Sequence, residues 1–428
     1  MTTFTPVSPR TSLHLTASVF ITQSLSSASF IAMFALTAIV AARLSGSDEL
    51  AGWPSTVLLL GRAALAFPLG WLMDRVGRRL GLSIGYSLGA IGALVTVWAV
   101  VQSDFWIMLA GSALLGMSRS AAEQAPYIAA EVNLPPARAR AIGNIVFAGT
   151  IGALLGPLST APSEQLAQGL GLPAETGPWL VAAGFFALAV ILAQVLLRPD
   201  PLVIGRTIAA ADAQAQAQVN PSAPDLPTRP LRQVFTVPQV QLGIASMAIG
   251  QLVMTMLMVI TPLFMSYCGH PTDYISWAVM AHTLGMFGLS GVTGWLIDRL
   301  GRHTMIVAGS LLLVLSGLLT PIATPMPIVT LLMFVLGLGW NFCHIAGASL
   351  LSDALHPHER GQVQGSSEMM VALGSGAGSF FSGIVFSRVQ YSGVGLVGIV
   401  LTILLVLFLG FTLLRQRPPA APLAAASD

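Results

Sequence analysis

The sequence predicts an all-α polytopic membrane protein with twelve transmembrane helices in two pseudo-symmetric six-helix bundles. Three observations support this fold class. First, 54% of the 428 residues are hydrophobic and 8% are charged, whereas a soluble domain carries about 25% charged residues. Second, apolar runs of about 20 residues recur, and each is long enough to cross a hydrocarbon core about 30 Å thick. Third, motifs of the first half of the chain return in the second half.

The apolar runs give the positions of the helices. We expect the first six spans at 14–41, 52–73, 80–101, 105–130, 140–161 and 178–197. We expect the other six at 238–267, 273–297, 304–324, 327–354, 361–388 and 391–414. A membrane-spanning barrel would instead show alternating segments of about ten residues, and the sequence does not have that pattern.

A polar stretch divides the helices into two groups of six. Residues 199–237 contain the segment DAQAQAQVNPSAPDLPTRP, which is rich in Ala, Gln and Pro and cannot bury an apolar core. We interpret residues 199–237 as a flexible cytoplasmic linker. It would join an N-terminal bundle of residues 1–198 to a C-terminal bundle of residues 238–428, which ends in a short cytoplasmic tail.

Two motifs occur once in each half. GWLMDRVGRR at 70–79 returns as GWLIDRLGRH at 294–303, in both cases at the end of the second helix of its half. Farther along, Glu131 is followed by Arg138, and Asp353 is followed by Arg360 at the same spacing. Matching motifs in matching positions imply a duplicated six-helix unit, with the two halves related by an axis along the membrane normal.

The repeated loop resembles the hallmark loop of the major facilitator superfamily (MFS) of secondary transporters, Gly-x-x-x-Asp-Arg-x-Gly-Arg-Arg between helices 2 and 3. The resemblance covers the whole chain. It implies transport by alternating access, with an ionic latch on the cytoplasmic side that acts as a gate. The latch positions here are Asp74, Arg75, Arg78, Glu131 and Arg138 in the first half and Asp298, Arg299, Arg302, Asp353 and Arg360 in the second. Alternatively, these arginines only anchor the chain at the membrane surface.

The basic residues predict the orientation in the membrane. All 19 are arginines, and fifteen of them fall on cytoplasmic segments if the N-terminus is inside, as the positive-inside rule favours. We therefore expect a multi-pass protein of the cell (inner) membrane with both termini cytoplasmic. The absence of lysine excludes a P-loop ATPase and a Schiff-base enzyme. We expect no enzyme activity, no cofactor, no nucleic-acid partner and no obligatory protein partner, only the lipid bilayer and a small-molecule or metal-ion substrate.

Ionisable residues inside the predicted spans are candidates for proton coupling, because a charge in the membrane is costly and tends to face a partner or a cavity. Arg119 and Glu123 are four residues apart on helix 4 and can pair on one face. Glu368 on helix 11 has no obvious local partner. Either the pair is a static structural contact, or one of these carboxylates carries protons during transport.

Methionine and histidine suggest a second type of site. In an antiparallel hairpin of helices 7 and 8, Met254 and Met258 would lie at the same depth as Met286 and His282. Thioether and imidazole donors without carboxylates suit a soft ion such as Cu(I). Further soft donors are found at Met265, Cys343 and His344.

The Met-x-x-x-Met and His-x-x-x-Met pair resembles the copper-importing branch of the superfamily, which is linked to cytochrome oxidase assembly. Copper would then be a substrate and not a cofactor. Three other readings stay open at this point. The methionines can be flexible packing residues, the protein can move an organic solute with protons (drug export or import of a vitamin such as riboflavin), or it can be a membrane sensor that moves nothing.

Overall fold

The computed structural model describes residues 7–219, 230–355 and 360–415, and in these ranges it is helical without strands. The spans of the first half are α1 (Pro9–Ser45), α2 (Trp53–Val76), α3 (Arg78–Gln102), α4 (Phe105–Ala122 continued by Ala125–Glu131), α5 (Pro135–Leu158) and α6 (Gly177–Leu196). Those of the second half are α7 (Pro238–Tyr267), α8 (Thr272–Phe287 continued by Ser290–Leu300), α9 (Arg302–Leu319), α10 (Met326–Ala354), α11 (360–389) and α12 (391–415).

The described helices account for the twelve predicted spans. Nine of them are long and apolar enough to cross a membrane, and α2, bent by 43° between Ala66 and Pro68, makes ten. Arg360–Arg415 is counted as one of these ten spans but contains two helices, α11 and α12. The φ of 60° at Gln390 ends α11, so this range supplies an eleventh span. The twelfth span is α4, which an interruption at Glu123 divides into two segments. The all-α polytopic fold is confirmed.

Each half packs around its own core. One cluster of buried apolar side chains lies entirely between Leu15 and Leu197, where α1 packs against α5 and α6, and α3 packs against α4 and α6. In the other half, α7 packs against α10 and the range 360–415, while α8 packs against α10. The core of the second half also includes alanines of α1, such as Ala35 and Ala38, so small side chains let the two bundles approach each other.

Glycines set the separation of α2 and α4. A Cβ atom added at Gly116 would lie 1.8 Å from the carbonyl oxygen of Leu58, and one added at Gly61 would lie 2.2 Å from that of Ala113. Both distances are too short for any side chain, so the two backbones touch directly.

The corresponding helices α2 and α8 of the two halves are irregular, α2 by a bend and α8 by an interruption. Pro68 bends α2, since proline removes a helical hydrogen bond. Its counterpart in the repeat, α8, breaks at Gly288 and Leu289. The amide nitrogen Nδ2 of Asn341 on α10 donates to the carbonyl of Met286, at 2.5 Å, and so pairs a backbone group beside the break. Discontinuous helices of this kind often line the substrate path of transporters.

The segment between the halves is not wholly irregular. Pro201–Val219 and Leu231–Val234 form helices, so the expectation of a flexible linker is wrong for these residues. The first of these helices packs against the second segment of α4 and against α3. It therefore stays attached to the first bundle.

The two bundles touch at one end. We call the end that carries residues 74–79 and 298–303 the latch end. At the opposite end Ser276 Oγ of α8 donates to Thr160 Oγ1, at 3.0 Å, and Ser379 Oγ of α11 donates to the carbonyl of Gly52, at 2.8 Å. The Tyr267 hydroxyl donates to the Asp48 carboxylate there as well. Within the described residues, the side-chain hydrogen bonds between the bundles lie at this opposite end.

We expect Gly116→Leu to destabilise the folded protein by about 1–3 kcal/mol, because the added side chain forces α2 and α4 apart. The matched control is Gly184→Leu on α6, where an added Cβ atom meets no described atom within 4 Å. Thermal unfolding of the purified protein in detergent should give a lower midpoint for Gly116→Leu alone. Equal midpoints for the two variants would show that the contact between α2 and α4 is not tight.

Candidate functional site

A cavity of about 480 Å³ lies between the two bundles. Its wall takes residues from α1, α2, α4, α5 and α6 of one half and from α7, α8 and α11 of the other. The contacts around Thr160 and Ser276 close the bundles at the end opposite the latch, whereas the lining reaches Pro126 in the segment of α4 that leads to the latch. The lining is amphipathic, with the aromatic rings of Phe30, Phe34 and Phe287 beside the polar side chains of Gln23, Ser27, Ser55, Gln251, Thr255 and Ser375.

Three charged side chains meet in the wall of this cavity. Arg62 Nη1 on α2 donates to Glu123 Oε1, at 2.7 Å, and Arg119 Nε on α4 lies 3.6 Å from the same oxygen. The guanidinium carbon of Arg119 lies 5.1 Å from the ring centroid of Phe30, in a cation–π arrangement. Glu123 follows directly after Ala122, the last residue of the first α4 segment.

The sequence predicted only part of this triad. The spacing of Arg119 and Glu123 indicated their pairing, and the structure does bring them together. Arg62 is also an ionisable residue inside a predicted span, but the sequence could not assign its partner, because Glu123 is 61 positions away along the chain. An arginine inside an apolar span was the available signal, because such a charge needs a partner.

A polar network faces the triad from the other bundle. Trp340 Nε1 donates to Gln251 Oε1, at 2.7 Å, and Gln251 Nε2 donates to Thr255 Oγ1 and Ser375 Oγ, at 3.2 and 3.3 Å. The His344 ring stacks on Trp340 with centroids 4.7 Å apart. The sequence analysis missed Gln251, although a glutamine in an apolar helix is itself a signal of a polar contact.

The soft donors do not form the expected square. Met254, Met258 and Met286 line the cavity. His282 is fully buried instead, and its Nδ1–H donates to the backbone carbonyl of Met333 on α10, at 2.9 Å. The reason is that α7 and α8 do not pack face to face, since α8 packs mainly against α10 and α5. Equal depth in the membrane did not decide which way each side chain points.

The other soft donors lie in the protein interior. Met265 and Cys343 are fully buried. A Cβ atom at Gly309 would lie 2.8 Å from the Cys343 sulfur, so this thiol fills the contact between α9 and α10. His344 is stacked on Trp340, and its buried Nδ1 has no partner in the described part of the chain. Among the described residues, no three His, Cys, Asp or Glu side chains are grouped to hold a metal.

Three latch residues of the first half, Asp74, Arg78 and Glu131, form a connected set of ion pairs. Arg78 donates to both oxygens of Glu131, from Nη2 at 2.7 Å and from Nε at 3.0 Å, while its Nη1 lies 2.9 Å from Asp74 Oδ1. Asp200, which the sequence analysis missed, accepts hydrogen bonds from the backbone N–H groups of Arg78 and Arg79. It therefore caps the start of α3, where a negative charge is favourable.

The second half repeats the pattern with fewer contacts. Arg302 Nε lies 2.9 Å from Asp353 Oδ2, an ion pair whose N–H does not point at the oxygen, and Asp298 is exposed. Arg75 and Arg299 stack instead on tryptophans four residues earlier, at 3.9 Å from Trp71 and 4.3 Å from Trp295. The side chains of Arg138, Arg360 and Glu368 lie outside the part of the chain that the structure describes.

We expect a double-mutant cycle of Arg78→Gln and Glu131→Gln to give a coupling energy in the upper part of the range of about 0.5–3 kcal/mol, because the pair has two parallel charged hydrogen bonds. The control is the more exposed pair of Arg43 and Glu175, for which we expect less than about 1 kcal/mol. Thermal unfolding in detergent measures both cycles. A coupling near zero for Arg78 and Glu131 would contradict the latch contacts.

Comparisons with known proteins agree with this architecture. The family model of the Major Facilitator Superfamily matches residues 18–273 and 244–428. The uncharacterized MFS-type transporter YdeG of Bacillus subtilis is 31% identical over 91% of this chain and 89% of its own length. The riboflavin transporter RfnT of Brucella anthropi is 26% identical over 94% of this chain and 95% of its own length.

Solved structures share the fold. A bacterial homolog of the human lysosomal transporter Spinster, in an inward-facing and unoccupied conformation, gives a TM-score of 0.69 at 14% identity and covers 97% of this chain and 100% of its own. A D-xylose-proton symporter gives a TM-score of 0.68 at 16% identity, over 92% of this chain and 97% of its own. The chain therefore belongs to the Major Facilitator Superfamily and is a multi-pass membrane transporter, not an enzyme.

Proposed function

We propose that this transporter moves an organic solute by alternating access and couples the movement to protons through Glu123. The observation that carries the proposal is the amphipathic cavity between the bundles, with Arg62, Glu123 and Arg119 in its wall. Charged side chains inside a membrane protein tend to mark a substrate or proton path, because only a functional advantage offsets their cost.

The lining of the cavity favours an organic substrate. Its volume falls in the usual range for small-molecule sites, about 300–1,000 Å³, and the rings of Phe30, Phe34 and Phe287 offer surfaces for a planar apolar group. Hydroxyl and amide groups on both walls can bind the polar part of the same molecule. Because a relative with 26% identity is a riboflavin transporter, riboflavin is the first compound to test.

Copper uptake is the weaker alternative. Met254, Met258 and Met286 line the cavity, which favours a soft ion. His282 is the nitrogen donor that the motif requires, but its ring is held by the carbonyl of Met333. A copper site would therefore need a rotation of that ring, whereas an organic solute fits the cavity as it stands.

The closed end supports a proposal for the state of the transport cycle. The arginines favour a cytoplasmic latch end, with both termini inside and the chain in the cell (inner) membrane. The contacts of Thr160 with Ser276 and of Gly52 with Ser379 then form an outer gate. At the same gate Thr272 hydrogen-bonds the carboxyl of Glu164. Burial raises the pKa of this carboxyl, and nearby Asp273 raises it further. This arrangement is an inward-facing state, which the rocking of one bundle against the other would exchange for an outward-facing one.

We expect Glu123→Gln to retain substrate binding and exchange but to lose accumulation driven by a pH gradient, because the amide cannot release a proton. Liposomes that contain the purified protein, an imposed pH gradient and labelled riboflavin, alongside a panel of organic solutes, measure both activities. Glu175→Gln, in the surface pair with Arg43, is the control. Gradient-driven accumulation that is equal in Glu123→Gln and the wild type would remove this carboxylate from the coupling mechanism, and no flux of any solute would contradict the transport proposal.

We expect the double variant Thr160→Cys, Ser276→Cys to lose at least about nine-tenths of its transport on oxidation and to recover it on reduction. The two hydroxyl oxygens are 3.0 Å apart, so the new thiols can reach disulfide geometry and lock the outer gate. The double variant also carries Cys268→Ser, which removes the more exposed native thiol, whereas Cys343 is buried. The two single variants, in the same background, control for each substitution. Full transport by the cross-linked protein would show that this contact does not open during the cycle.

A further inference from the structure

We propose that the cavity binds an organic anion, with the negative group of the substrate held between Arg62 and Arg119. This inference rests on the proposed function and narrows its substrate class. It would be satisfied by a carboxylate, phosphate or sulfonate attached to an aromatic or otherwise planar body. A neutral solute such as riboflavin would then bind more weakly than its anionic analogue.

The charge balance of the cavity is the first argument. Among the described side chains that line it, Arg62, Arg119 and Glu123 carry charge, which leaves one positive charge in excess. A cation without a counter-charge in a low-dielectric site costs several kcal/mol. A bound anion removes that cost, so the site favours a negative ligand.

The geometry of the arginines is the second argument. Glu123 places one oxygen, Oε1, near both guanidinium groups, at 2.7 Å from Arg62 Nη1 and 3.6 Å from Arg119 Nε. The longer distance exceeds that of a hydrogen bond, and the Arg119 side chain is 43% exposed. A guanidinium has five N–H donors in a planar fork that fits carboxylate and phosphate oxygens. Arg119 therefore keeps donors for a ligand.

The surroundings of Arg119 are the third argument, because they indicate the rest of the ligand. Phe30 supports the guanidinium from one side and faces the cavity, so an aromatic ring of the ligand can extend along the same wall. Gln23 also lines the cavity, so its amide side chain can contribute a polar contact to the ligand.

The two arginines have a simpler explanation, in which they only hold α2 against α4. That explanation requires each arginine to be satisfied by protein groups. It does not account for the excess positive charge or for the exposure of Arg119 to the cavity.

The experiment compares neutral and anionic compounds of matched shape. The purified full-length protein in detergent is titrated with riboflavin and flavin mononucleotide, benzyl alcohol and benzoate, and tryptophol and indole-3-acetate, in gluconate buffer with and without chloride. The thermal unfolding midpoint reports binding. We expect the anionic member to stabilise the protein more than its neutral partner in at least one pair.

Variants test whether the arginines hold the anion. We expect Arg119→Gln to weaken binding of that anion about tenfold to a hundredfold, as loss of a charged hydrogen bond implies. Arg43→Gln, at the protein surface, should leave it unchanged. Arg62→Gln is the second variant, used if Arg119→Gln does not elute as a monodisperse protein.

The results separate this inference from the proposed function. Stronger binding of the neutral members, no binding of any organic anion, or equal anion binding in wild type and both arginine variants would overturn the organic-anion site. Stabilisation by chloride alone would also overturn it, because the site would then take an inorganic ion. In each of these cases, flux of a neutral solute in liposomes would still support the proposed transport function. Anion binding without flux of any solute would support the organic-anion site and contradict the transport function.

Discussion

The cost of a charge inside a membrane constrains this structure more than any other interaction. Arg62, Arg119 and Glu123 occur in otherwise apolar helices, and such side chains persist where they pair with each other and face a polar cavity. The pairing of Arg62 with Glu123 joins α2 to α4, and the cavity that the triad requires separates the two bundles. The position of the cavity and the proposed chemistry both depend on these three side chains.

Helices pack closely within each bundle, and fewer contacts join the two bundles. Glycines such as Gly116 let helices within a bundle touch at the backbone, which makes each bundle a stiff unit. The contacts between the bundles include close packing as well, but they also include hydrogen bonds of hydroxyl groups, such as those of Thr160 and Ser276, at the end opposite the latch. A few exchangeable hydrogen bonds between stiff units are what a rocking motion needs.

The latch contacts of the first half also lie within one bundle. Arg78, Glu131 and Asp74 are all residues of the first bundle, and Asp200 and Arg206 attach the linker helix to that bundle. The described ion pairs of the latch therefore stabilise a bundle internally. In the inward-facing state that we propose, they leave the two bundles free to separate at the latch end.

Much of this fold could be predicted from the sequence because it depends on local sequence patterns. Apolar runs gave the spans, and the repeated loop at 70–79 and 294–303 gave the two halves. The pairing of Arg119 with Glu123 depends only on helical spacing. Contacts between distant positions could not be obtained in this way. Depth along a helix left the rotation of His282 open, and no local pattern assigns Glu123 to Arg62.

Composition also misled the prediction of the linker. Its Ala, Gln and Pro content suggested a flexible segment, but Pro201–Val219 is a helix held by Asp200 and by contacts with α4. Tertiary contacts of this kind override local propensity. The same limit applies to the polar network of Gln251 and Trp340, which joins helices far apart in the sequence.

The most direct test of alternating access measures both ends of the molecule at once. Pairs of spin labels at Val76 and Leu300, on the latch end, and at Leu170 and Tyr274, on the opposite end, would occupy exposed positions on different bundles. The account predicts that a transported solute or a change of pH shortens the first distance and lengthens the second in the same sample. Two distances that stay fixed, or that change in the same direction, while solute is being transported would contradict it.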